Sequence, residues 1–397
     1  MIPRLRPPTG LHDLVSAISA SKNVDDFETA FSAIAGGHHA TAFPYGRTGQ
    51  MLLMEALGLK DREIILPAYT CVVVAHAIVK SGNKPVFIDS EPDGFNMDLD
   101  LAEAAINDRT GAIIATSIHG YPVDLDRLDA LSTRHPDVHI IQDCAHSFMA
   151  NWKGRSVQEA GIAAIFGLNV SKLMTSVFGG MITTADARLN ERLRTIRDSR
   201  LERLGSLAEL KKVAYILASN AALTPMAFSM VKVIQKMGLI DRFVRYYDEA
   251  QIDMPQDHLR AMGSVAASVG VSQCQRYPET VKRRQRLAKL YHSLLSDVPG
   301  IEMFPLVDGA TYSHFVLQVD QPDRLVAACE KQGVELGRVI DYCLPDMESY
   351  TSYISHSDFP RTRALNAHVI NCPSDVTENQ ARRVADVIRA NMAAAKK

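Results

Sequence analysis

Three side chains that could do chemistry follow two apolar runs of this sequence. Asp143 and His146 come directly after the apolar run at residues 138–142, in the tetrapeptide Asp143-Cys-Ala-His146. Lys172 follows the run at residues 163–166, 29 residues after Asp143. A lysine can form a Schiff base with an aldehyde cofactor, and a carboxylate can keep a pyridine nitrogen protonated. The spacing therefore predicts a site for pyridoxal 5'-phosphate (PLP) and amino-group chemistry.

Each of these residues also has an ordinary structural interpretation. Lys172 could be an exposed surface lysine, although its place between an apolar run and the pair Gly179-Gly180 favours the functional role. Asp143 could cap a helix, and His146 could be a core histidine bonded to the backbone. The residues by themselves leave these alternatives open.

The elements that must position these side chains alternate between strands and helices. Apolar, β-branched runs predict strands at residues 63–67, 85–89, 112–117, 138–142, 163–166 and 180–184. Helical patterns occur at residues 49–57, 72–80, 98–106, 125–132 and 187–204. Such alternation indicates an α/β fold with a mainly parallel sheet covered on both faces, which binds ligands beyond the carboxyl ends of its strands. We therefore expect Asp143 and Lys172 to meet at one edge of the sheet.

A change of pattern near residue 255 predicts a second domain. The chain has 397 residues, more than one typical domain. Further on, patterns predict helices at 262–277, 277–295, 324–332 and 378–392 and a strand at 313–319. We predict a large PLP-binding α/β domain over residues 1–255, with an N-terminal arm and a helical insertion at 205–250. A smaller α+β domain is expected over residues 256–397.

The composition of the chain limits the possible classes of binding partner and indicates the cellular compartment. With 43 basic and 45 acidic residues, the net charge of −2 gives no electrostatic basis for binding nucleic acid. The six cysteines form no C-x-x-C pair, which indicates free thiols and no metal site. The first residues contain no apolar run of the kind found in signal peptides, so a cytoplasmic location is expected.

An uncharged segment at residues 213–231 approaches the length of a membrane span. Ser219, Asn220, Thr224 and Pro225 interrupt it. Helices packed in the protein or at a subunit interface are the expected explanation, and weak membrane contact is the alternative.

Several motifs in order resemble those of one known family. They are Tyr45-Gly-Arg-Thr-Gly49, Pro67-Ala-Tyr-Thr70, Pro85-Val-Phe-Ile-Asp89, Ile118-His-Gly-Tyr-Pro-Val-Asp124, Asp143-Cys-Ala-His146, Phe166-Gly-Leu-Asn-Val-Ser-Lys172, Phe359-Pro360 and Asn371-Cys-Pro373. Across most of its length the chain resembles the DegT/DnrJ/EryC1/StrS family, whose members are fold-type I PLP-dependent sugar aminotransferases.

The resemblance implies roles for particular residues. Lys172 would be the Schiff-base lysine and the base that moves a proton between substrate and cofactor. Asp143 would pair with the pyridinium nitrogen, and His146 would lie over the ring or at its phenolic oxygen. The remaining candidates for binding the cofactor are Arg47, Thr48 and Gly49 at the phosphate, with Asn169 and Cys71. Arg47 could equally bind a donor carboxylate or be a plain surface arginine.

Two departures from the family pattern concern the cofactor. Relatives commonly place an aromatic residue over the ring where this chain has Cys71, and a serine phosphate ligand where it has Gly167. Asn169 matches the pattern and would bind cofactor or the neighbouring subunit. In the C-terminal domain, Tyr312-Ser-His314 and Asp341-Tyr342 fall where relatives bring residues toward the site, and core or surface roles are equally open for them.

The resemblance also implies the reaction. L-glutamate would donate its amino group, and a nucleotide-linked keto-sugar would receive it, in a homodimer with shared active sites. The family's dehydratases have histidine in place of the lysine, so Lys172 favours transamination. A PLP-dependent dehydratase or eliminase and a non-catalytic PLP-binding regulator remain the alternatives.

Overall fold

A seven-stranded sheet forms the centre of the larger part of the molecule. The computed structural model describes residues 1–222, 250–354 and 358–394. The strands of the first half are β1 (His39–Phe43), β2 (Glu63–Pro67), β3 (Lys84–Ile88), β4 (Thr110–Thr116), β5 (His139–Asp143), β6 (Asn151–Trp152), β7 (Arg155–Ser156), β8 (Ala163–Gly167) and β9 (Gly180–Thr184). The helices of this part are α1 (Leu11–Ser19), α2 (Val24–Ile34), α3 (Gly46–Ala56), α4 (Val72–Lys80), α5 (Leu99–Ala104), α6 (Leu125–Arg134), α7 (Ala187–Arg200) and α8 (Ser206–Ala222).

The order of strands in this sheet is β1-β9-β8-β5-β4-β2-β3. Strands β3, β2, β4, β5 and β8 pair in parallel, whereas β9 runs antiparallel to both β8 and β1. Strands β6 and β7 form a separate two-stranded ribbon. The prediction of a mainly parallel sheet is confirmed, and all six predicted strands are present with small shifts at their ends.

Alternating residues of each strand enter two different cores, one on each face of the sheet. In β2, Ile65 packs into the core under α2 and α6, whereas Ile64 and Leu66 pack into the core under α3, α4 and α7. Because both faces are covered by helices, the strands are apolar throughout, as expected for a buried parallel sheet.

The smaller part of the molecule is built on three antiparallel strands. The remaining elements are α9 (Ser264–Leu295), β10 (Ile301–Met303), β11 (Phe315–Val319), α10 (Pro322–Lys331), α11 (Pro360–His368), β12 (Val369–Cys372) and α12 (Glu378–Ala394). Short 3₁₀ helices occur at Ile118–Gly120, Val157–Glu159, Leu344–Asp346 and Glu348–Tyr353. Strand β11 lies between β10 and β12, so this part is α+β as predicted. The domain boundary at residues 255 and 256 stays a prediction.

Helix α9 corrects the sequence-based assignment of two helices meeting at Tyr277. It is one helix of 32 residues with Pro278 inside it. Proline removes one backbone donor and usually kinks or ends a helix. Here packing on both sides of Pro278 holds the helix together: Tyr277 and Val281 lie in a core of the large sheet, and Leu287 lies in the core of the small one.

Of the predicted 205–250 insertion the structure describes residues 205–222, which contain helix α8, and Ala250. The stretch 223–231 of the uncharged segment lies outside the described residues. Among the described helices, none combines the length and apolar character needed to cross a membrane. The sequence pattern predicted an N-terminal arm but neither strand β1 nor helices α1 and α2.

Two glycines let helix α3 approach the sheet at the edge that carries the predicted site. A Cβ on Gly180 would lie 2.3 Å from the Gly46 nitrogen and 2.5 Å from the Tyr45 carbonyl carbon. A Cβ on Gly49 would lie 2.9 Å from the Phe43 ring. Only glycine therefore allows the start of α3 to contact the end of β8 and the start of β9.

Gly180→Ala is expected to destabilise the protein by about 1–3 kcal/mol, because backbone atoms cannot move aside as a flexible side chain can. Urea unfolding of the variant would measure the loss. Gly205→Ala is the matched control, since a Cβ there meets no atom within 4 Å. Equal stability of the two variants would contradict the close-packing explanation.

Candidate active site

Asp143 ends strand β5 and is almost fully buried, at 5% exposure. Its carboxylate accepts hydrogen bonds from the Ala145 amide, at 3.0 Å, and from the Thr116 hydroxyl, at 3.3 Å. Burial raises the pKa of Asp143, and the Ala145 amide, the charge of Lys172 and the Thr116 hydroxyl act in the opposite direction. The carboxylate is thus held in a low-dielectric position where a cationic partner would stabilise its ionised form.

Lys172 stands in the loop between β8 and β9, at the same edge of the sheet as Asp143. Its Cε lies 3.6 Å from the position that a Cβ on Gly167 would take, so its side chain runs along the end of β8. A small cavity is lined by Lys172 and His146 together with Cys144, Ala145, Phe148, Phe166, Gly167, Leu168, Leu173, Met174 and Tyr277. The expectation that the lysine follows the end of β8, close to the end of β5, therefore agrees with the geometry.

Asn169 shapes the lysine loop. Its side-chain oxygen accepts a hydrogen bond from the Ser171 amide at 2.9 Å, and its carbonyl accepts one from the Lys172 amide at 3.1 Å. This is an Asx turn, which fixes the backbone just before the lysine. Within the described chain Asn169 therefore positions Lys172, while a contact with cofactor or a second subunit stays a prediction.

His146 lies within electrostatic range of Lys172 and is 7% exposed. Burial, followed by the positive charge of Lys172, lowers its pKa well below the usual value. Its ring is stacked on that of His119, with centroids 6.1 Å apart and 10° between planes. A neutral imidazole is thus presented beside the lysine.

The hydrogen bonds at the start of α3 differ in part from those expected of the predicted phosphate site. The Gly49 amide donates to the Tyr45 carbonyl at 3.1 Å, and the Thr48 hydroxyl donates to the His258 carbonyl at 3.0 Å. Gly49 therefore serves packing and offers no free amide, which corrects the expectation that it supplies one. The first-turn amides of residues 46–48 lack intrahelical partners and point along the positive end of the helix dipole.

Arg47 lies in the first turn of α3, within electrostatic range of Cys71 at the start of α4. Burial lowers the pKa of Arg47, while Cys71, Asp253, Tyr45 and Asp257 act to raise it. Cys71 is half-buried and is the residue immediately before α4. The two residues are electrostatic neighbours, and their roles toward a cofactor stay predictions.

The residues at this edge fit PLP. A buried carboxylate whose hydrogen bonds come from an amide and a hydroxyl would suit a pyridinium nitrogen, and a lysine stands close enough to act on its charge. The first-turn amides of α3, which have no partner within the helix, would suit a phosphate group. These features together define a PLP-binding α/β protein.

Comparison with known proteins identifies the family within this class of PLP-binding proteins. The sequence profile of the DegT/DnrJ/EryC1/StrS aminotransferase family matches residues 14–389. The chain is similar to the spore coat polysaccharide biosynthesis protein SpsC of Bacillus subtilis, with 25% identity over 94% of this chain and 91% of SpsC. It is also similar to GDP-perosamine synthase of Vibrio cholerae, with 24% identity over 94% and 91% of the two chains.

A solved structure gives the same fold. The putative sugar aminotransferase Spr1654 from Streptococcus pneumoniae, in its PMP form, superposes with a TM-score of 0.79 at 17% identity, covering 99% of this chain and 100% of that one. The chain belongs to the DegT/DnrJ/EryC1/StrS aminotransferase family, and it is a PLP-dependent aminotransferase.

Two residues near the site received little or no role from the sequence. His119 lay in a motif used only for the resemblance, and His314 was one of several open candidates. Both are buried, and their rings lie beside that of His146, with only His314 reaching it across the junction of the two parts of the molecule. A histidine between an apolar strand and a glycine was the available signal at His119, although a single sequence cannot show that the three rings converge.

The buried histidines predict a loss of stability in acid. Burial lowers the pKa of His119 from 6.5 to about 3, so between these values the unfolded chain binds more protons. The free energy of unfolding therefore falls as the pH falls below about 6.5, and His119 alone is expected to lower it by about 2 kcal/mol between pH 7 and pH 5. Urea unfolding of wild type and His119→Phe at both pH values would test this. An equal drop in the two proteins would contradict it.

Proposed function

We propose that the enzyme transfers the amino group of L-glutamate to a nucleotide-linked keto-sugar. The observation that carries the proposal is Lys172 beside the buried Asp143 at one edge of the sheet, in a chain of this aminotransferase family. The names of its relatives, GDP-perosamine synthase among them, support a sugar substrate. The aminated sugar would then be used in the biosynthesis of a polysaccharide or a glycosylated metabolite.

Different residues at this edge of the sheet would have different roles in the reaction. Bound PLP supplies an electron sink that makes the substrate C–H bond next to nitrogen acidic. Lys172 would hold the cofactor and would take and return that proton. Asp143 would keep the proton on the pyridine nitrogen, because the buried carboxylate gains most from an adjacent cation. His146 would contact the ring as a neutral imidazole.

The remaining residues would bind and orient. The first-turn amides of α3 would bind the phosphate, and Arg47 would pair with the phosphate or with a carboxylate of the amino donor. Asn169 would keep the lysine loop in place through its turn. Cys71 would pack at the ring face where relatives have an aromatic residue.

A visible spectrum of the purified protein with PLP, before and after L-glutamate, tests the function. We expect a cofactor band that glutamate bleaches, with 2-oxoglutarate formed in equal amount. Added nucleotide-linked keto-sugars would then restore the band. A band that glutamate leaves unchanged would contradict the proposed donor and favour an elimination or a regulatory role.

The proposal includes a cytoplasmic homodimer with sites shared between subunits. An apolar surface on α1 and α8 supports a subunit contact, because Leu11, Val15 and Ile18 are 75%, 58% and 64% exposed and Leu207 and Leu210 are 68% and 63% exposed. Sedimentation of Val15→Glu beside wild type would test it. A variant that stays as associated as the wild type would show that this surface is not the contact.

A further inference from the structure

The junction between the two parts of the molecule is tightly fixed at the active-site edge. The Thr311 amide donates to the Gly120 carbonyl at 2.9 Å, and the Thr311 hydroxyl donates to the His146 carbonyl at 3.3 Å. His119 and Tyr312 both have left-handed backbones, with φ of 55° and 47°. Such strained residues persist only where the surroundings determine them, and they cluster at functional sites.

Three histidine rings converge at this junction. The His314 ring lies edge-on to His146, with centroids 5.0 Å apart, and 5.7 Å from the His119 ring. One ring nitrogen of each histidine lies within 4.8 Å of the other two. Both nitrogens of His119 and Nδ1 of His146 are buried without a hydrogen-bond partner among the described residues.

Unpartnered buried nitrogens are costly, and His119 and His146 both carry them beside the His314 ring. Because one nitrogen of each of the three rings lies close to the other two, these rings point to a shared ligand. Because the three nitrogens lie no more than 4.8 Å apart, one position exists that is close to all of them. Its distance from each nitrogen is at most 4.8 Å divided by the square root of three, about 2.8 Å. That limit is the length of a hydrogen bond to oxygen. The separation of the nitrogens therefore suits one small oxygen atom.

We propose that His119, His146 and His314 together bind one uncharged oxygen ligand, a water molecule or a substrate hydroxyl, and that this ligand positions the His146 ring at the cofactor. The proposal rests on the proposed function, because it gives His146 its place beside PLP. A hydrogen-bond partner at Nδ1 determines which ring nitrogen of His146 carries the proton. It therefore determines whether the other nitrogen donates a hydrogen bond to the cofactor or accepts one. His119 and His314 would be positioning residues, with His314 supplied by the smaller part of the molecule.

Two observations weigh against a metal ion at the same place. A histidine that binds a metal usually donates its second nitrogen to a carboxylate or carbonyl. His119 has no such partner among the described residues, and Nδ1 of His314 lies 3.2 Å from the Ser313 hydroxyl. Burial and the neighbouring His119 lower the pKa of His314 most, and three cations lower it further. These cations are Lys172, Arg284 and Arg4. A dication would be repelled here, and an uncharged oxygen would not.

The test compares His119→Phe and His314→Phe, which keep ring size but remove the nitrogens, with His119→Gln and His314→Gln, which keep polar groups. Phe95→Leu is the packing control, because Phe95 contacts the His119 ring at 4.8 Å without a polar atom. The first readout is the pH titration of the cofactor band without substrate, with Lys172, His119 and His314 as the titratable groups that face His146. The second is the KM for the keto-sugar, and the third is Co²⁺ absorption of the purified protein.

If the ligand is water, the phenylalanine variants should shift the pH midpoint of the band by about one unit, with partial recovery in the glutamine variants. If it is a substrate hydroxyl, the midpoint should stay and the KM for the sugar should rise about tenfold. Variants that behave like Phe95→Leu would overturn the proposal, as would stoichiometric Co²⁺ binding that the variants lose. Formation and bleaching of the wild-type band test the proposed function separately.

Discussion

Lys172→Ala is expected to abolish the cofactor band and to lower turnover by about 10³-fold or more, since the variant loses both the covalent attachment and the proton-transfer group. The two hydrogen bonds by which Asn169 shapes the lysine loop use backbone amides and do not involve the Lys172 side chain. The variant should therefore fold with unchanged thermal stability. Absorption spectra and single-turnover assays would measure the effect.

Lys282→Ala is the control for this experiment. Lys282 is exposed on α9 and pairs with Glu279, far in sequence from the lysine loop. Its band and rate should match those of the wild type. A band of unchanged intensity in Lys172→Ala would assign the attachment to a different lysine and would remove the basis of the proposed mechanism.

Asp143→Asn is expected to lower the rate of the glutamate half-reaction by about 10²–10³-fold while leaving the band in place. An amide has nearly the same shape but carries no negative charge, so the pyridine nitrogen loses its stabilised proton and the cofactor becomes a weaker electron sink. Stopped-flow bleaching of the band would measure the loss. Asp143→Ala should lose cofactor affinity as well, because it also removes the hydrogen bonds to Ala145 and Thr116.

Asp126→Asn provides the matched control, since Asp126 is an exposed carboxylate that pairs with Lys153. Bleaching rates in this variant should equal those of the wild type. If Asp143→Asn bleached as fast as Asp126→Asn, the pyridine nitrogen would need a different partner.

The central sheet could be predicted because each of its strands is an apolar run between turn residues. Strand β2 was placed at its observed ends, and so was helix α4. Strand β1 was missed because His39-Ala-Thr-Ala-Phe43 has little apolar character, and it forms through pairing with β9, a contact distant in sequence. Helix α9 was predicted as two helices meeting at Tyr277, because the residue pattern changes there, whereas packing on both sides of Pro278 keeps it one helix.

The site could be predicted where a motif places a residue just beyond the end of a strand. Asp143 and Lys172 are such residues, and the parallel sheet alone brings their strands side by side. Thr48 and Gly49 show the limit of this reasoning, because their polar groups are taken up by His258 and Tyr45 in ways that only the folded chain decides. The convergence of His119, His146 and His314 comes from three separate elements and has no local signature.

Helix α9 also sets how the molecule should unfold. It contributes Ala266 and Tyr277 to a core of the large sheet and Tyr291 and Leu295 to the core of the small one. A helix of 32 residues is about 48 Å long, so one rigid element crosses both. Melting either core would leave half of the helix uncovered and would weaken the other. The two cores are thereby joined into a single cooperative unit. A fragment that ends at residue 255 would lack helix α9, which forms part of a core of the large sheet.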